Sequence, residues 1–220
     1  MKSLKWMVGA GIVLAGSFAQ AQAQGVGVNA LWAKVQDKLG PVREYSATMT
    51  AEAGGRAIAS KVFKSGQKTR TEIAMEGMQI VIIVDPEADD GKGAGYTLMP
   101  MVKMYTKLPL PPEATTAKSD DKMEIKTEDL GKEDVGGVSC DKRRVTATED
   151  GKTYTMLLWT SPKQKDMPVK IEVQDGPGGK AVITFKDYDF KKPAADLFKV
   201  PADYTANNMG GMMMNMPRGQ

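Results

Sequence analysis

Short segments separated by glycine or proline turns fill the chain from residue 44 to residue 190. In most of them apolar and polar side chains alternate, which is the period of a β-strand. Turn signals such as Gly54-Gly55 and Gly136-Gly137 recur roughly every ten residues, a spacing typical of sandwiches and barrels. We therefore predict a mainly β fold with few helices (α+β), in which a large curved antiparallel sheet forms an incomplete barrel. The predicted strands are 44–53, 56–64, 67–75, 78–84, 96–99, 102–107, 123–135, 139–148, 153–160, 169–174 and 181–190.

Two further segments are predicted to close this sheet. Val28 to Leu39 carries apolar residues at helical spacing, and Gly40-Pro41 ends the pattern. Leu108 to Asp121 begins with prolines and continues with small and charged residues, which is typical of a loop. We expect the N-terminal helix and this loop to cover the mouth of the half-barrel.

The N-terminus has the pattern of a secretory signal peptide. Lys2 and Lys5 precede a short apolar run, and an Ala-Gln-Ala cleavage signal follows it. The run is shorter than the roughly 20 residues that a spanning helix needs, and no cysteine follows it to carry a lipid anchor. We predict a cleaved signal peptide over 1–23, a domain over 24–204 and a disordered methionine-rich tail over 205–220. The mature protein is then periplasmic and does not span the membrane.

The composition excludes several classes of protein. The chain has no histidine and a single cysteine, so His-based catalysis and the usual zinc sites are excluded, and no internal disulfide can form. The formal net charge is only +3, with both signs mixed along the chain, which is not typical of a nucleic-acid-binding protein. No pair of carboxylates stands apart as an acid/base pair. The sequence therefore predicts neither an enzyme nor a bound cofactor, and it offers no catalytic residues.

The single cysteine, Cys140, starts a predicted strand. Lys142 and Arg143 could lower the pKa of its thiol. Alternation, however, places Cys140 on one face with Lys142 and Arg144, and Arg143 on the other. No histidine is present to activate it, and no second cysteine could resolve an oxidised form. We interpret Cys140 as a packed structural residue rather than a nucleophile.

Six motifs in a fixed order resemble a known superfamily. They are YSATMTAE, KTRTEI, MVKMYTKLP, LGKEDVGGVSCDKRRV, LLWTSPKQKDMPVKIE and DYDFKKPAADLFKVPADY. Together they cover about residues 30–204 and resemble the periplasmic lipoprotein-carrier (LolA/LolB-like) superfamily, more narrowly an uncharacterised exported branch of it. The resemblance implies a strongly curved antiparallel sheet whose hollow holds lipoprotein acyl chains. It also implies an arginine that ties down a covering helix, for which Arg56, Arg70 and Arg144 are the candidates.

The sequence thus predicts a periplasmic binding protein. Its sheet would hold a lipid or lipoprotein acyl chain, or would present its concave face to an envelope protein, and a monomer is favoured. The mechanism would be the burial of apolar surface. The candidate lining residues are Met49, Phe63, Ile73, Ile80, Ile82, Tyr105, Leu158 and Phe185.

The C-terminal tail suggests a different class of function. Thioethers are soft ligands suited to Cu(I). A soft-metal binding or sequestering protein is therefore the alternative, although a sticky tail without any ligand fits the composition as well. The candidate metal ligands are Met209, Met212, Met213, Met214 and Met216.

Overall fold

The computed structural model describes residues 42–75, 77–110, 124–149, 152–175 and 180–207. Twelve strands in this part of the chain form one sheet that is not closed into a barrel, which confirms the predicted fold class. The predicted helix at 28–39 and most of the loop at 108–121 lie outside the described residues. The strands are β1 Glu44–Ala53, β2 Arg56–Ser65, β3 Lys68–Met75, β4 Met78–Asp85, β5 Ala94–Met99, β6 Met104–Pro109, β7 Glu124–Val135, β8 Val138–Glu149, β9 Lys152–Ser161, β10 Met167–Asp175, β11 Ala181–Asp189 and β12 Thr205–Ala206.

The sheet consists of two meanders joined at its centre. Its strand order is β12-β6-β5-β4-β3-β2-β1-β11-β10-β9-β8-β7. All neighbouring pairs are antiparallel except β12 and β6, which are parallel. The two-residue strand β12 begins just after Tyr204, the predicted end of the domain. Helical structure in the described part is limited to short turns, at Ala88–Gly91, Pro100–Val102, Pro162–Gln164 and Ala195–Phe198.

Tight turns fix the register of the first meander. Gly54 and Gly55 have φ of 57° and 76°, which is the conformation of a two-residue hairpin turn that glycine adopts without strain. This turn sets Ala53 opposite Arg56 and thereby fixes the pairing along the whole of β1 and β2. Since side chains alternate along a strand, the same turn decides which residues of β2 share a face with those of β1.

The two meanders are connected at the edges of the sheet and their strands are bent. Residues 110–123 join β6, beside one edge, to β7 at the opposite edge. β-Bulges, which bend strands, interrupt the pairing of β1 with β11, of β9 with β10 and of β7 with β8.

One predicted strand differs in its bounds for a local reason. The sequence placed it at 102–107, whereas β6 runs from Met104 to Pro109. Pro100 starts a 3-10 turn because its ring sets φ for the first helical position. Lys103 then adopts φ 49° and ends the turn, so the strand begins one residue later.

Candidate functional site

An apolar surface extends over both meanders on one side of the sheet. The strand registers define it: Phe185 lies opposite Met49, Met49 opposite Ser60, Ser60 opposite Ile73, and Ile73 opposite Ile80. Because residues that face each other across strands share a side of the sheet, these five form one row over β11, β1, β2, β3 and β4. We call this side the apolar face. Its further apolar members include Ile58, Val62, Ile82, Val145, Met156, Leu158, Ile171 and Val173.

The two ends of the apolar face differ in burial. On β8, β9 and β10 most of its apolar side chains are at most 3% exposed and form a packed cluster with Phe185; they are Val145, Met156, Leu158, Ile171 and Val173. On β2, β3 and β4 its apolar side chains are only half-buried. The first end is therefore packed core. The second is the part of this face that can still gain by burying apolar area against a ligand.

A β-bulge turns one aromatic side chain onto this face. Asp187 has φ 56°, at the point where the pairing of β11 with β1 shifts. The extra residue lets Tyr188 pack against the same cluster as Phe185, three positions earlier, and their rings stack 6.3 Å apart. The Tyr188 hydroxyl donates a hydrogen bond to the Pro168 carbonyl at 2.8 Å, and burial raises its pKa. The Tyr188 side chain is therefore neutral and is held in place on the apolar face.

The row across β11 to β4 contains no titratable side chain. Its one polar member, Ser60, is buried, and its hydroxyl donates to the Met49 carbonyl at 3.4 Å. Such a surface can bind by burial of apolar area, but this row supplies no acid or base. Among the described residues, no group of three or more Cys, Asp or Glu side chains is placed to hold a metal ion.

The structure separates the eight predicted lining residues into two sets. Phe63 and Tyr105 lie on the opposite face. The Lys61 ammonium sits 5.2 Å from the centre of the Phe63 ring, and Tyr105 packs with Tyr96, 6.3 Å away. The six that share the apolar face are Met49, Ile73, Ile80, Ile82, Leu158 and Phe185.

The C-terminal segment covers the opposite face of the first meander. Val200 and Tyr204 pack against the buried cluster of Val81, Ile83 and Leu98. Arg70 anchors the segment, because its guanidinium donates to the Leu197 carbonyl at 2.9 Å. Arg70, one of the three candidate arginines, therefore ties a covering segment to the sheet, and that segment is a 3-10 turn rather than a longer helix. Beneath this turn lies an open cavity of about 360 Å³, lined by Asp85, Tyr96, Tyr105, Lys107, Phe198, Lys199 and Val200.

Cys140 lies in the second meander, on the side of the sheet opposite the apolar face. It is 1% exposed and packs with Trp159 and Val169. Burial raises the pKa of its thiol, which donates a weak hydrogen bond to the Val138 carbonyl at 3.3 Å. A buried, protonated thiol is a poor nucleophile, which supports the structural interpretation.

Several sequence predictions fall outside the described residues. They are the signal peptide over 1–23 and the tail methionines 209, 212, 213, 214 and 216. In the part of the chain that is described, none of the helical segments has the length and hydrophobicity needed to cross a bilayer.

Comparison with known proteins gives a family and a fold. A family model described as "Domain of unknown function (DUF4412)" matches residues 44–167, more than half of the chain. An uncharacterised conserved protein from Thermus thermophilus has a similar structure, with a TM-score of 0.50 and 14% identity over 82% of this chain and 98% of that one. The search of curated proteins finds no match.

Two further solved structures are similar to this chain at lower TM-scores. An outer membrane lipoprotein-sorting domain from Vibrio parahaemolyticus matches 79% of this chain and 97% of its own, with 11% identity and a TM-score of 0.31. MucB of Pseudomonas aeruginosa, in complex with MucA, matches 80% of this chain but only 60% of its own length, with 15% identity and a TM-score of 0.45. The single large, mostly antiparallel sheet that the resemblance implies is the fold observed. Likenesses this weak concern the fold and carry no argument about a ligand.

Proposed function

Because this chain belongs to the DUF4412 family, whose domain has no known function, we propose a role from its own geometry: it is a binding protein that holds an apolar ligand on the apolar face. The ligand class we propose is a long acyl chain, of a lipid or a lipoprotein. We place this role in the periplasm, after removal of residues 1–23, and we assign the protein no catalytic activity.

One observation carries the proposal. Phe185, Met49, Ile73 and Ile80 stand in one row with the buried Ser60 between Met49 and Ile73, and toward β4 the row passes from packed core to half-buried surface. A bent sheet with such a row offers a trough with an apolar floor. The lipoprotein-sorting domain and MucB share the general fold, and they support a ligand- or partner-binding role only in that coarse sense.

The free energy of burial sets the size of the ligand. Each buried methylene contributes about 0.8 kcal/mol, whereas association costs about 4 to 15 kcal/mol or more. Ten buried methylenes, about 8 kcal/mol, therefore only offset a moderate association cost. Long chains should bind and short ones should not, and removing two carbons should weaken binding about 15-fold.

The test combines extraction with titration. Purified protein is extracted and co-purifying lipid is sought by mass spectrometry. A fluorescent fatty acid is then titrated and displaced with fatty acids of decreasing length. We expect saturable binding and a steep dependence on chain length. Absence of both lipid and saturable binding would refute the proposal, and an affinity that does not vary with length would point to a protein partner on this face instead.

Two matched variants locate the site. Ile73 lies on the apolar face and Phe63 on the opposite face, and both are half-buried strand residues of the first meander. I73Q should weaken fatty acid binding at least about tenfold, since it places an amide under the ligand, while F63Q should leave binding unchanged. Circular dichroism checks that both variants are folded. If F63Q lost binding and I73Q retained it, the ligand would lie on the face opposite the apolar face, and the proposed site would be refuted.

A further inference from the structure

Lys64 is an exception on the apolar face. It lies on β2 directly opposite Tyr45 of β1 and Thr69 of β3, in phase with Ser60 and Val62. The other side chains that the structure describes for β1 to β6 on this face are uncharged. Lys64 is therefore the group in this part of the face that can bind a charge on a ligand.

The environment of Lys64 favours contact with an amphiphile. Lys64 is half-buried, whereas Lys61, on the same strand but on the opposite face, is exposed. A lysine in such a position packs its methylenes along apolar surface and directs its ammonium toward water. The ammonium has three N–H donors, so it can bind an anion alongside the interaction that Lys64 already makes.

Aromatic rings continue the apolar surface from Lys64 toward the centre of the sheet. The ring of Tyr45, which is opposite Lys64, lies 5.7 Å from the Tyr188 ring. Tyr188 in turn stacks on Phe185 at 6.3 Å and on Phe190 at 5.6 Å. Since Phe185 belongs to the row that defines the apolar face, a headgroup bound at Lys64 leaves its acyl chain beside that row.

A second cation lies at the same end of the sheet. The Lys165 ammonium is 4.5 Å from the centre of the Phe190 ring, and within the described part of the chain it takes part in no ion pair. Lys165 is in the turn before β10, and β2 and β10 are three strand spacings apart, about 14 Å. Lys165 therefore adds positive potential at this end without contacting the same headgroup.

The carboxylates at this end do not cancel that charge on the apolar face. Glu44 and Asp189 are out of phase with Tyr45 and lie on the opposite face. Asp166 and Asp187 are exposed to solvent. The apolar face thus combines an uncharged floor with a positive end.

We propose that Lys64 binds the negatively charged headgroup of the ligand, while the acyl chain lies on the apolar face and extends toward Ile73 and Ile80. The ligand class is then an anionic amphiphile, of which a fatty acid is the simplest. An ammonium beside an apolar surface is complementary to both parts of such a molecule. This inference rests on the proposed acyl-chain binding and adds the charge and the orientation of the ligand.

Three amphiphiles of equal chain length test the headgroup. They are tetradecanoate, tetradecan-1-ol and tetradecyltrimethylammonium, which are titrated at pH 8 against the uncharged fluorophore N-phenyl-1-naphthylamine. We expect the wild type to bind the carboxylate at least about tenfold more tightly than the alcohol, and the cation most weakly. Equal affinity for the carboxylate and the alcohol would refute the headgroup site alone, whereas binding of none of the three would refute the proposed function itself.

Full-length variants locate the headgroup. K64Q should bring the affinity for tetradecanoate to within about twofold of that for tetradecanol and should leave the alcohol affinity unchanged. A loss of structure would instead weaken the binding of both compounds. K165Q should have a smaller effect than K64Q, because Lys165 is farther from the headgroup and exposed to screening by salt.

Two substitutions on the same strand serve as controls. Arg56 has the phase of Lys64 but stands at the other end of β2, and Lys61 lies on the opposite face. R56Q and K61Q should both keep the preference of the wild type for the carboxylate. If R56Q, K61Q or K165Q removed this preference while K64Q kept it, the assignment of the headgroup to Lys64 would be overturned.

Discussion

Replacing Arg70 should loosen the C-terminal segment and destabilise the sheet beneath it. The Arg70 side chain is only 14% exposed, and its guanidinium bonds both the Leu197 carbonyl at 2.9 Å and the Glu72 carboxylate at 2.7 Å. A hydrogen bond from a charged donor contributes about 1.5–3 kcal/mol, and a partly exposed ion pair contributes up to about 1 kcal/mol. R70M keeps the length of the side chain and removes both bonds. We therefore expect it to lower the free energy of unfolding by about 2–4 kcal/mol.

Urea unfolding followed by circular dichroism measures this loss. For a domain of this size it corresponds to a fall in Tm of about 4–16 °C. Hydrogen exchange adds a local measurement, since the Thr205 and Asn207 amides donate to the Lys103 and Tyr105 carbonyls and should lose protection.

R144M is the matched control. Arg144 also pairs with a glutamate, Glu128, across two strands, but it is 42% exposed and anchors no segment. We expect R144M to change stability by less than about 0.5 kcal/mol. If R70M were as stable as R144M and kept its amide protection, the anchoring role of Arg70 would be refuted.

Burial and charge lead to three further predictions. L158A should lower the free energy of unfolding, measured with urea, by about 2–5 kcal/mol because Leu158 is fully buried. I82A should lower it clearly less because Ile82 is half-buried. Equal losses would contradict the difference in burial between the two ends of the apolar face. Cys140 should resist iodoacetamide at pH 8 until the protein unfolds, since its thiol is buried and burial raises its pKa; rapid labelling of native protein, followed by mass spectrometry, would contradict this. The bond from Lys142 lowers the pKa of Glu133, so its contribution is present above the unfolded pKa of about 4.3 and is lost as the pH falls through the folded pKa. The stability difference between wild type and E133Q should therefore vanish at low pH, and a difference that grew there would contradict the assignment.

Much of the fold could be predicted from local pattern. Alternation gave β1 with its observed bounds, and it gave most other strands to within a residue or two because each is flanked by a turn signal. The central pairing of β1 with β11 could not be read in this way, since no local signal specifies which distant strands meet. β12 was missed because two residues carry no periodicity, and its place depends on bonds to Lys103 and Tyr105.

The face on which Phe63 lies follows from the length of the turns between the first strands. A two-residue turn at Gly54-Gly55 pairs Ala53 with Arg56, and counting along both strands then pairs Met49 with Ser60. Phe63 is therefore out of phase with Met49, and Ile73 follows in phase from the next two-residue turn. Tyr105 lies beyond a longer turn whose 3-10 geometry depends on Pro100 and Lys103, so counting along the sequence could not place it.

The junction of β1 with β11 also governs how the protein acquires its shape. Among the described strands, every other antiparallel neighbour follows its partner directly in the chain, so each half can zip up from its own hairpins. Joining Met49 to Phe185 instead requires closure of a very long loop, whose entropic cost is met before its contacts form. We expect this closure to be the slow step of folding. Until it is complete, the two meanders are separate and their exposed apolar faces can self-associate. The surface on which a ligand would lie, which extends over both meanders, does not yet exist.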